Sequence, residues 1–314
     1  MYGLDIGGTK TEFAVFDQNL SRLHTRRVVT PTSDYRRFIQ SIRELVEDAD
    51  RKFKSVESVG VGVPGIRDRQ GRSFSVNVPC ITGQNVKNDL SSMLNRTVAV
   101  INDGRAFALS EANGGAAHGK DPMIGVILGT GAFGGYCIAG SLQGGRDGVA
   151  GEWGHLAIAA TVRERYALPL HLCGCGKRGC IETYVSGRGL SRIHAHVAGS
   201  AGLAAHRVVD GMRAGDKACK RAFGIWIDCV ASCFIQLVLH INPEIIVLGG
   251  GLSQIRELYW QIPSIMSKYL FGGIPPPTIV PATYGDASGV RGAAIHAAQR
   301  CGWTGQDLAS DSPD

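Results

Sequence analysis

The same local pattern occurs twice in this chain, about 120 residues apart. In residues 2–17, "YGLDIGGTKTEFAVFD", apolar Leu4 and Ile6 precede a Gly-Gly-Thr turn, and Phe13 and Val15 bracket small residues after it. Period-two alternation around a glycine turn predicts a β-hairpin. Residues 124–140, "IGVILGTGAFGGYCIAG", repeat strand, glycine turn and strand, and "EIIVLGGGLS" adds a buried strand ending at a helix start. A chain built twice from hairpin and helix–strand units predicts an α/β fold of two lobes of like topology, with an active-site cleft between them.

Other segments fit that plan. Residues 34–53 carry Phe38, Ile39, Ile42, Leu45, Val46 and Ala49 at helical spacing, which predicts an amphipathic helix. "VESVGVGVPG" and "TVAVIND" read as strands that end in turns. The 314 residues suit two domains, with the boundary expected in the glycine-rich "NGGAAHGKD" at residues 113–121. The tail after Arg300 is expected to be poorly ordered. Residues 123–140 are uncharged, but their six glycines argue for strands and a turn rather than a membrane span. Residues 225–241 read as a buried helix closed by Asn242-Pro243.

The net charge of +6 is spread along the chain without a basic block, which favours small anionic ligands and argues against nucleic acid. No signal peptide is read at the start, so the expected setting is the reducing cytoplasm, with nine free thiols and no membrane partner.

Three groups of residues suggest chemistry. In "DIGGTK", Gly7 and Gly8 let backbone N–H groups approach phosphate oxygens, Thr9 and Lys10 add donors, and Asp5 suits a magnesium ion. Thr130 and Gly131 of "LGTG", with Gly134 beyond them, form a second such loop, and Gly250 belongs to a third glycine site. Jointly they describe a nucleoside triphosphate site. Asn102 and Asp103 end an apolar strand where a helix N-terminus favours an ionised carboxylate; the simpler alternative is a helix cap, and the two roles are compatible. Cys173, Cys175 and Cys180 stand as C-x-C-x4-C in a glycine-rich turn. That arrangement suits three thiolate ligands of zinc with a fourth from elsewhere, and it lacks the C-x-x-C of redox pairs. The other six cysteines, including Cys229 and Cys233, are expected in the core.

In order along the chain, "DIGGTK", "GVGVPG", "NVP", "IND", "LGTG", "GEWGH", "CGCGKRGCIE", "VLGGGLS" and "GDASGVRGAA" resemble the ROK family of sugar kinases and repressors, within the actin-like ATPase superfamily. The likeness runs from residue 1 to about 299 and is greatest to the bacterial kinases of N-acetylglucosamine. It implies a two-lobed actin-like (ribonuclease H-like) fold, with residues 1–116 and the C-terminal helix 288–300 in one lobe and 117–287, carrying the zinc knuckle, in the other. It implies a kinase using ATP and magnesium, with Asp103 as general base toward the sugar 6-hydroxyl. Gly65, Asn77, Asn102, Glu152, His155 and Glu182 would bind the sugar, and His155 would complete a structural zinc site. Dimers are common in the family, so a homodimer is expected.

The chain departs from the family pattern in two places. Phe133 replaces a glycine of the second phosphate loop, where a ring is expected to obstruct phosphate or restrict the loop. Gly104 and Arg105 follow the base in place of Ala-Asn; Arg105 is expected to face solvent, and if turned inward to pair with a phosphate or acidic group on a substrate. The leading reading is an N-acetylglucosamine 6-kinase. Kinases of glucose, fructose or N-acetylmannosamine are alternatives, as is a sugar-binding protein with weakened kinase activity. A repressor is disfavoured because only four residues precede Asp5.

Overall fold

A computed structural model describes residues 1–146 and 148–305. The alternating residues at the start form β1 (Tyr2–Ile6) and β2 (Lys10–Phe16), antiparallel with Ile6 opposite Thr11. β3 (Arg22–Val29) extends the hairpin as an edge strand, and its mostly exposed side chains leave little apolar pattern in the sequence. α1 (Tyr35–Phe53) buries the six residues that its spacing singles out, and Asp34 caps it by accepting from the Arg37 amide at 3.1 Å. Each of the larger buried side chains contributes about 1.5–3 kcal/mol by leaving water.

β4 (Val59–Val63) runs parallel to β1. β5 (Ile66–Arg67) and β6 (Ser73–Phe74) make a two-residue ladder, followed by α2 (Val86–Leu94). β7 (Val98–Asn102) lies parallel to β4 and leads directly into α3 (Asp103–Ala112). The first sheet is therefore ordered β3-β2-β1-β4-β7.

The second sheet repeats this order of connection. β8 (Met123–Leu128), β9 (Ala132–Ile138) and β10 (Ser141–Leu142) are followed, after a helical stretch, by β11 (Ile245–Gly249) and β12 (Thr278–Pro281). The order is β10-β9-β8-β11-β12, with β8, β11 and β12 parallel. The helical stretch holds α4 (Ala160–Arg165), α5 (Glu182–Val185), α6 (Gly187–Ala198), α7 (Ala205–Ala214) and α8 (Lys217–Ile241). α9 (Leu258–Tyr269) precedes β12, and α10 (Ser288–Arg300) follows it. α8 is long and apolar enough to span a membrane, but it packs on α6, α7 and α9 and buries Phe223, Trp226 and Phe234. Asn242, in the left-handed region, ends α8 before Pro243 as the sequence predicts.

The chain divides into two compact units. The first comprises Met1–Gly119, Gly135–Ala150 and the chain from Thr283 on; the second comprises Lys120–Gly134 and Gly151–Ala282. Residues 135–150, expected with the second lobe, group with the first. The Gly140 carbonyl accepts from Asn113 Nδ2 at 2.9 Å and Gln299 Nε2 at 3.1 Å, and Arg105 Nε donates to the Ala150 carbonyl at 3.0 Å.

In the first unit, α10 approaches β4 so closely that a Cβ on Gly60 would stand 1.7 Å from the Ala293 carbonyl oxygen. Buried Glu111 on α3 accepts from the amides of Thr283 and Tyr284 and from the Ser288 hydroxyl at 2.8–3.1 Å, joining α3 to the start of α10.

The tail differs in part from expectation. Trp303 donates through its indole to the Gln18 carbonyl at 3.3 Å and through its amide to Ala298 at 3.0 Å, so residues 301–305 are held; residues 306–314 lie outside the described residues. Cys137, Cys219, Cys229 and Cys233 are buried as expected, but Cys80 is only half-buried and Cys301 is exposed, one on a short helical turn and one at the end of α10.

Candidate functional site

In the first unit, the turn after β1 gathers Gly7, Gly8, Thr9 and Lys10. The Gly7 amide donates to the Lys10 carbonyl at 2.9 Å, and Gly8, Thr9 and Lys10 are exposed. Gly8 lies against Asn77, whose carbonyl oxygen would be 2.9 Å from an added Cβ. At the end of β1 the Asp5 carboxylate packs beside Gly289 of α10. Burial, then the charges of Glu12 and Asp286 against an opposing Lys10, raise its pKa to about 6. A carboxylate held among carboxylates is a fitting oxygen ligand for a hard divalent cation.

Asn102 and Asp103 occupy the β7–α3 junction. The cap falls to Asn102, whose Oδ1 accepts from the Gly104 and Arg105 amides at 2.9 and 3.4 Å. Its Nδ2 donates to the Gly65 carbonyl at 2.9 Å, which joins two expected sugar residues. Asp103 is the first helical residue, and its Oδ1 accepts from the Gly104 amide at 2.9 Å. Arg105 corrects the expectation of a solvent-facing side chain: it is 7 % exposed, because its guanidinium is drawn to Ala150.

In the second unit, Thr130 and Gly131 form the turn between β8 and β9. The Gly129 amide donates to Gly131 and the Gly187 amide to Gly129, at 2.9 and 2.8 Å. A cavity of about 470 Å³ opens here, bordered by Gly129, Thr130, Gly187, Arg188, Ser191 and Gly251. Gly250, with φ +81°, lies beside it in chain order; a Cβ there would stand 2.4 Å from the Leu128 carbonyl oxygen, so only glycine fits. A short 3₁₀ turn, Gly251–Gln254, follows β11 where a full helix start was expected.

Arg188 escaped the sequence reading. It donates to the Thr130 carbonyl at 3.2 Å from the first turn of α6, whose cap Ser186 accepts from the Gly189 amide. The available signal was "SGRG", a serine cap before a helix.

Gly134 sits inside β9, not in the turn: the Gly125 carbonyl and the Trp153 indole fill the space beside it. Phe133 also lies in β9, in extended backbone that a phenylalanine adopts without strain, with its ring near Gly131.

Glu152 immediately precedes the 3₁₀ turn Trp153–His155, and its carbonyl accepts from the His155 amide at 3.1 Å. A ring nitrogen of His155 and the thiols of Cys173, Cys175 and Cys180 lie within 4.8 Å of one another. Cys173 Sγ is 3.6 Å from His155 Nδ1, and Cys175 Sγ is 3.6 Å from Cys180 Sγ. Four tetrahedral ligands about 2.3 Å from a zinc ion stand about 3.8 Å apart, so the donors and their spacing fit zinc. Burial, as the leading cause, raises the thiols of Cys173 and Cys180, the latter to about 12; the Lys177 amide lowers Cys175. Glu182 connects this knuckle to the turn, with Oε1 at 3.6 Å from Cys173 Sγ and Oε2 accepting from the Ala132 amide at 3.3 Å.

Two sheets of repeated order, each carrying a glycine–threonine turn, make up the actin-like ATPase fold of the ROK sugar kinases. The chain belongs to the ROK family, whose pattern matches residues 1–300. It is 44% identical over 294 residues to the N-acetylgalactosamine kinase of Shewanella sp. (strain ANA-3), covering 94% of this chain and 95% of that one. To the N-acetyl-D-glucosamine kinase of Vibrio atlanticus (strain LGP32) it is 38% identical over 297 residues, covering 94% and 98%. Among solved structures, the ROK hexokinase from Thermus thermophilus superposes with a TM-score of 0.85 at 30% identity, over 96% of this chain and 98% of that one. A ROK family glucokinase from Streptomyces griseus, in complex with glucose and AMPPNP, gives 0.73 at 30% identity, over 95% and 99%. The chain is a hexose or hexosamine kinase.

Proposed function

We propose that the chain transfers the γ-phosphoryl group of ATP to the 6-hydroxyl of an N-acetylhexosamine, with N-acetyl-D-glucosamine as the acceptor. The observation that carries this reading is the β7–α3 junction: Asn102 serves as the cap and reaches Gly65, while Asp103 is the first residue of the helix, a position that suits a base. Asp103 takes the proton of the acceptor hydroxyl as that oxygen bonds to phosphorus and the bond to ADP breaks. Catalysis of this kind is mainly positioning and charge neutralisation.

Asn102, the Gly65 backbone, Asn77, Glu152, His155 and Glu182 orient the sugar; carboxylates and amides suit this because each can pair with two neighbouring hydroxyls. Gly7, Gly8, Thr9, Lys10, Thr130, Gly131, Gly250 and Arg188 hold the nucleotide. Gly134 supports the second turn from within β9. Asp5 would hold magnesium, which neutralises phosphate charge when bound. His155, Cys173, Cys175 and Cys180 would hold a structural zinc that fixes His155 and, two residues past the ligand Cys180, the position of Glu182. By family resemblance we also propose a homodimer acting in the cytoplasm.

A second acceptor, N-acetylgalactosamine, is favoured by the 44% identical relative that carries that name. The test is ADP release by the purified protein with ATP, magnesium and a sugar panel: N-acetylglucosamine, N-acetylgalactosamine, N-acetylmannosamine, glucose and fructose. One of the first two should exceed glucose in kcat/KM by more than about tenfold, the discrimination a pocket gains from one well-placed group. Equal or better turnover of glucose would reject the N-acetylhexosamine reading.

A further inference from the structure

The Glu111 carboxylate is fully buried near the end of α3 and takes no part in the transfer proposed for the chain. Four donors converge on it. The amides of Ala116 and Thr283 reach Oε2, both at 3.0 Å, and the Tyr284 amide and Ser288 hydroxyl reach Oε1 at 3.1 and 2.8 Å. A glutamine could not take over these bonds, because its NH₂ would face an amide donor in either orientation. Burying a charge is costly, and a tie made for stability alone is served as well by apolar packing. What four charge-assisted bonds add is a fixed geometry.

The segment so fixed, residues 283–288, leads directly to the Asp5 carboxylate. Ser288 is followed by Gly289, where an added Cβ would stand 2.6 Å from Asp5 Oδ2. On the other side, a Cβ on Gly62 of β4 would stand 3.5 Å from Asp5 Oδ1. Two glycines, one on α10 and one on β4, therefore confine the carboxylate, and any movement at the start of α10 alters the room it has. Asp286 of the same segment is near enough for its charge to act on Asp5.

α3 is a firm base for this tie. Its Ala106 carbonyl oxygen would stand 1.8 Å from a Cβ on Gly292, so α3 and α10 meet backbone to backbone. Buried Arg291 donates to the Ser110 carbonyl at 2.7 Å, and its guanidinium lies 4.1 Å over the Tyr284 ring. Asp103 opens the same helix, so the base and the wall beside Asp5 share one frame.

We infer that Glu111 is a positioning residue for the kinase reaction: through Ser288 and Gly289 it sets the place of the Asp5 carboxylate for a divalent cation bound with the nucleotide. The inference rests on the reading of Asp5 as the cation ligand. Glu111 acts through the backbone of α10, not on the reacting groups.

Calorimetric titration of ADP into the whole chain, with magnesium and without added divalent cation, measures how far the cation tightens nucleotide binding. Glu111→Gln should reduce this tightening by roughly tenfold, the lower end of the effect of groups that orient a metal ligand. ADP affinity without the cation, and sugar affinity, should be unchanged. Ser288→Ala removes only the hydroxyl beside Gly289 and should act in the same direction with a smaller loss, which keeps the test decisive if Glu111→Gln folds poorly. Glu111→Asp keeps the charge and should recover part of the tightening. Adding Glu111→Gln to Asp5→Asn should cause no further loss, because residues that act through one group are not additive; a merely structural role would give no such dependence.

Full tightening in Glu111→Gln, an equal loss of ADP affinity without the cation, or a further loss on top of Asp5→Asn would overturn the inference. Full tightening in Asp5→Asn alone would remove Asp5 as the cation ligand, and the inference with it. Because these are binding measurements, failure here is separate from failure of the kinase reading, which turnover of the sugar panel decides.

Discussion

Glu182 accepts a hydrogen bond from the Ala132 amide at 3.3 Å while its other oxygen lies 3.6 Å from the Cys173 thiol. One carboxylate thereby joins the cysteine knuckle to the turn proposed to hold phosphate. Gly131 sits in the bend of that turn, and a Cβ there would stand 2.7 Å from Glu182 Oε2. Gly131→Ala must therefore displace the carboxylate, since both of its oxygens are already engaged. We expect sugar affinity to fall by roughly tenfold, the effect of one lost charged hydrogen bond, with zinc content unchanged. Sugar titration and metal analysis check both halves, and unaltered sugar affinity would separate Glu182 from the acceptor.

The knuckle itself predicts about one equivalent of zinc per chain, held by a closed set of four ligands. Cys175 is exposed and contributes little packing, so Cys175→Ala isolates the metal. The variant should lose the zinc and more than about 2 kcal/mol of stability, in the range of the larger single-residue losses. A chelator should bring the wild-type protein to the same melting temperature. Full stability of a zinc-free variant would contradict a structural role for the ion.

Asp5 links the nucleotide side to pH. Its pKa is raised from an ordinary value of 3.8 to about 6, chiefly by burial, so the folded state binds the extra proton between those values. Stability attributable to Asp5 is present below pH 3.8 and is lost as pH rises through 6. Asp5→Asn should therefore stabilise the magnesium-free protein by about 2 kcal/mol at pH 8, and by little at pH 4. Urea unfolding at the two pH values measures this, while turnover should drop because the proposed cation ligand is gone. Equal stabilisation at both pH values would show that its charge is not the cause.

Local features were the most legible in the sequence. The β1–β2 turn and the six buried residues of α1 follow from periods of two and of helical spacing, which need no knowledge of distant chain. The cysteine knuckle was legible because its three thiols lie within eight positions. Long-range pairings were not legible. Arg105 is buried by a carbonyl 45 residues away, residues 135–150 join the first unit through Asn113 and Gln299, and Glu111 is satisfied by amides more than 170 positions on. An exposed edge such as β3 has no apolar face to give it away. Gly134 resembles a phosphate-loop glycine by position, yet its requirement comes from the Gly125 carbonyl on the adjoining strand.

The central claim is that Asp103 is the base for an acceptor hydroxyl placed beside Asn102, and one variant tests it most directly. Asp103→Asn keeps the shape and the helix start but cannot take the proton. With the preferred sugar of the panel and saturating ATP and magnesium, kcat should fall by about 10²–10⁴-fold or more, the usual share of a general base, while the sugar dissociation constant shifts less than about threefold, since uniform binding is retained. A variant that turns over at near wild-type rate would contradict the account.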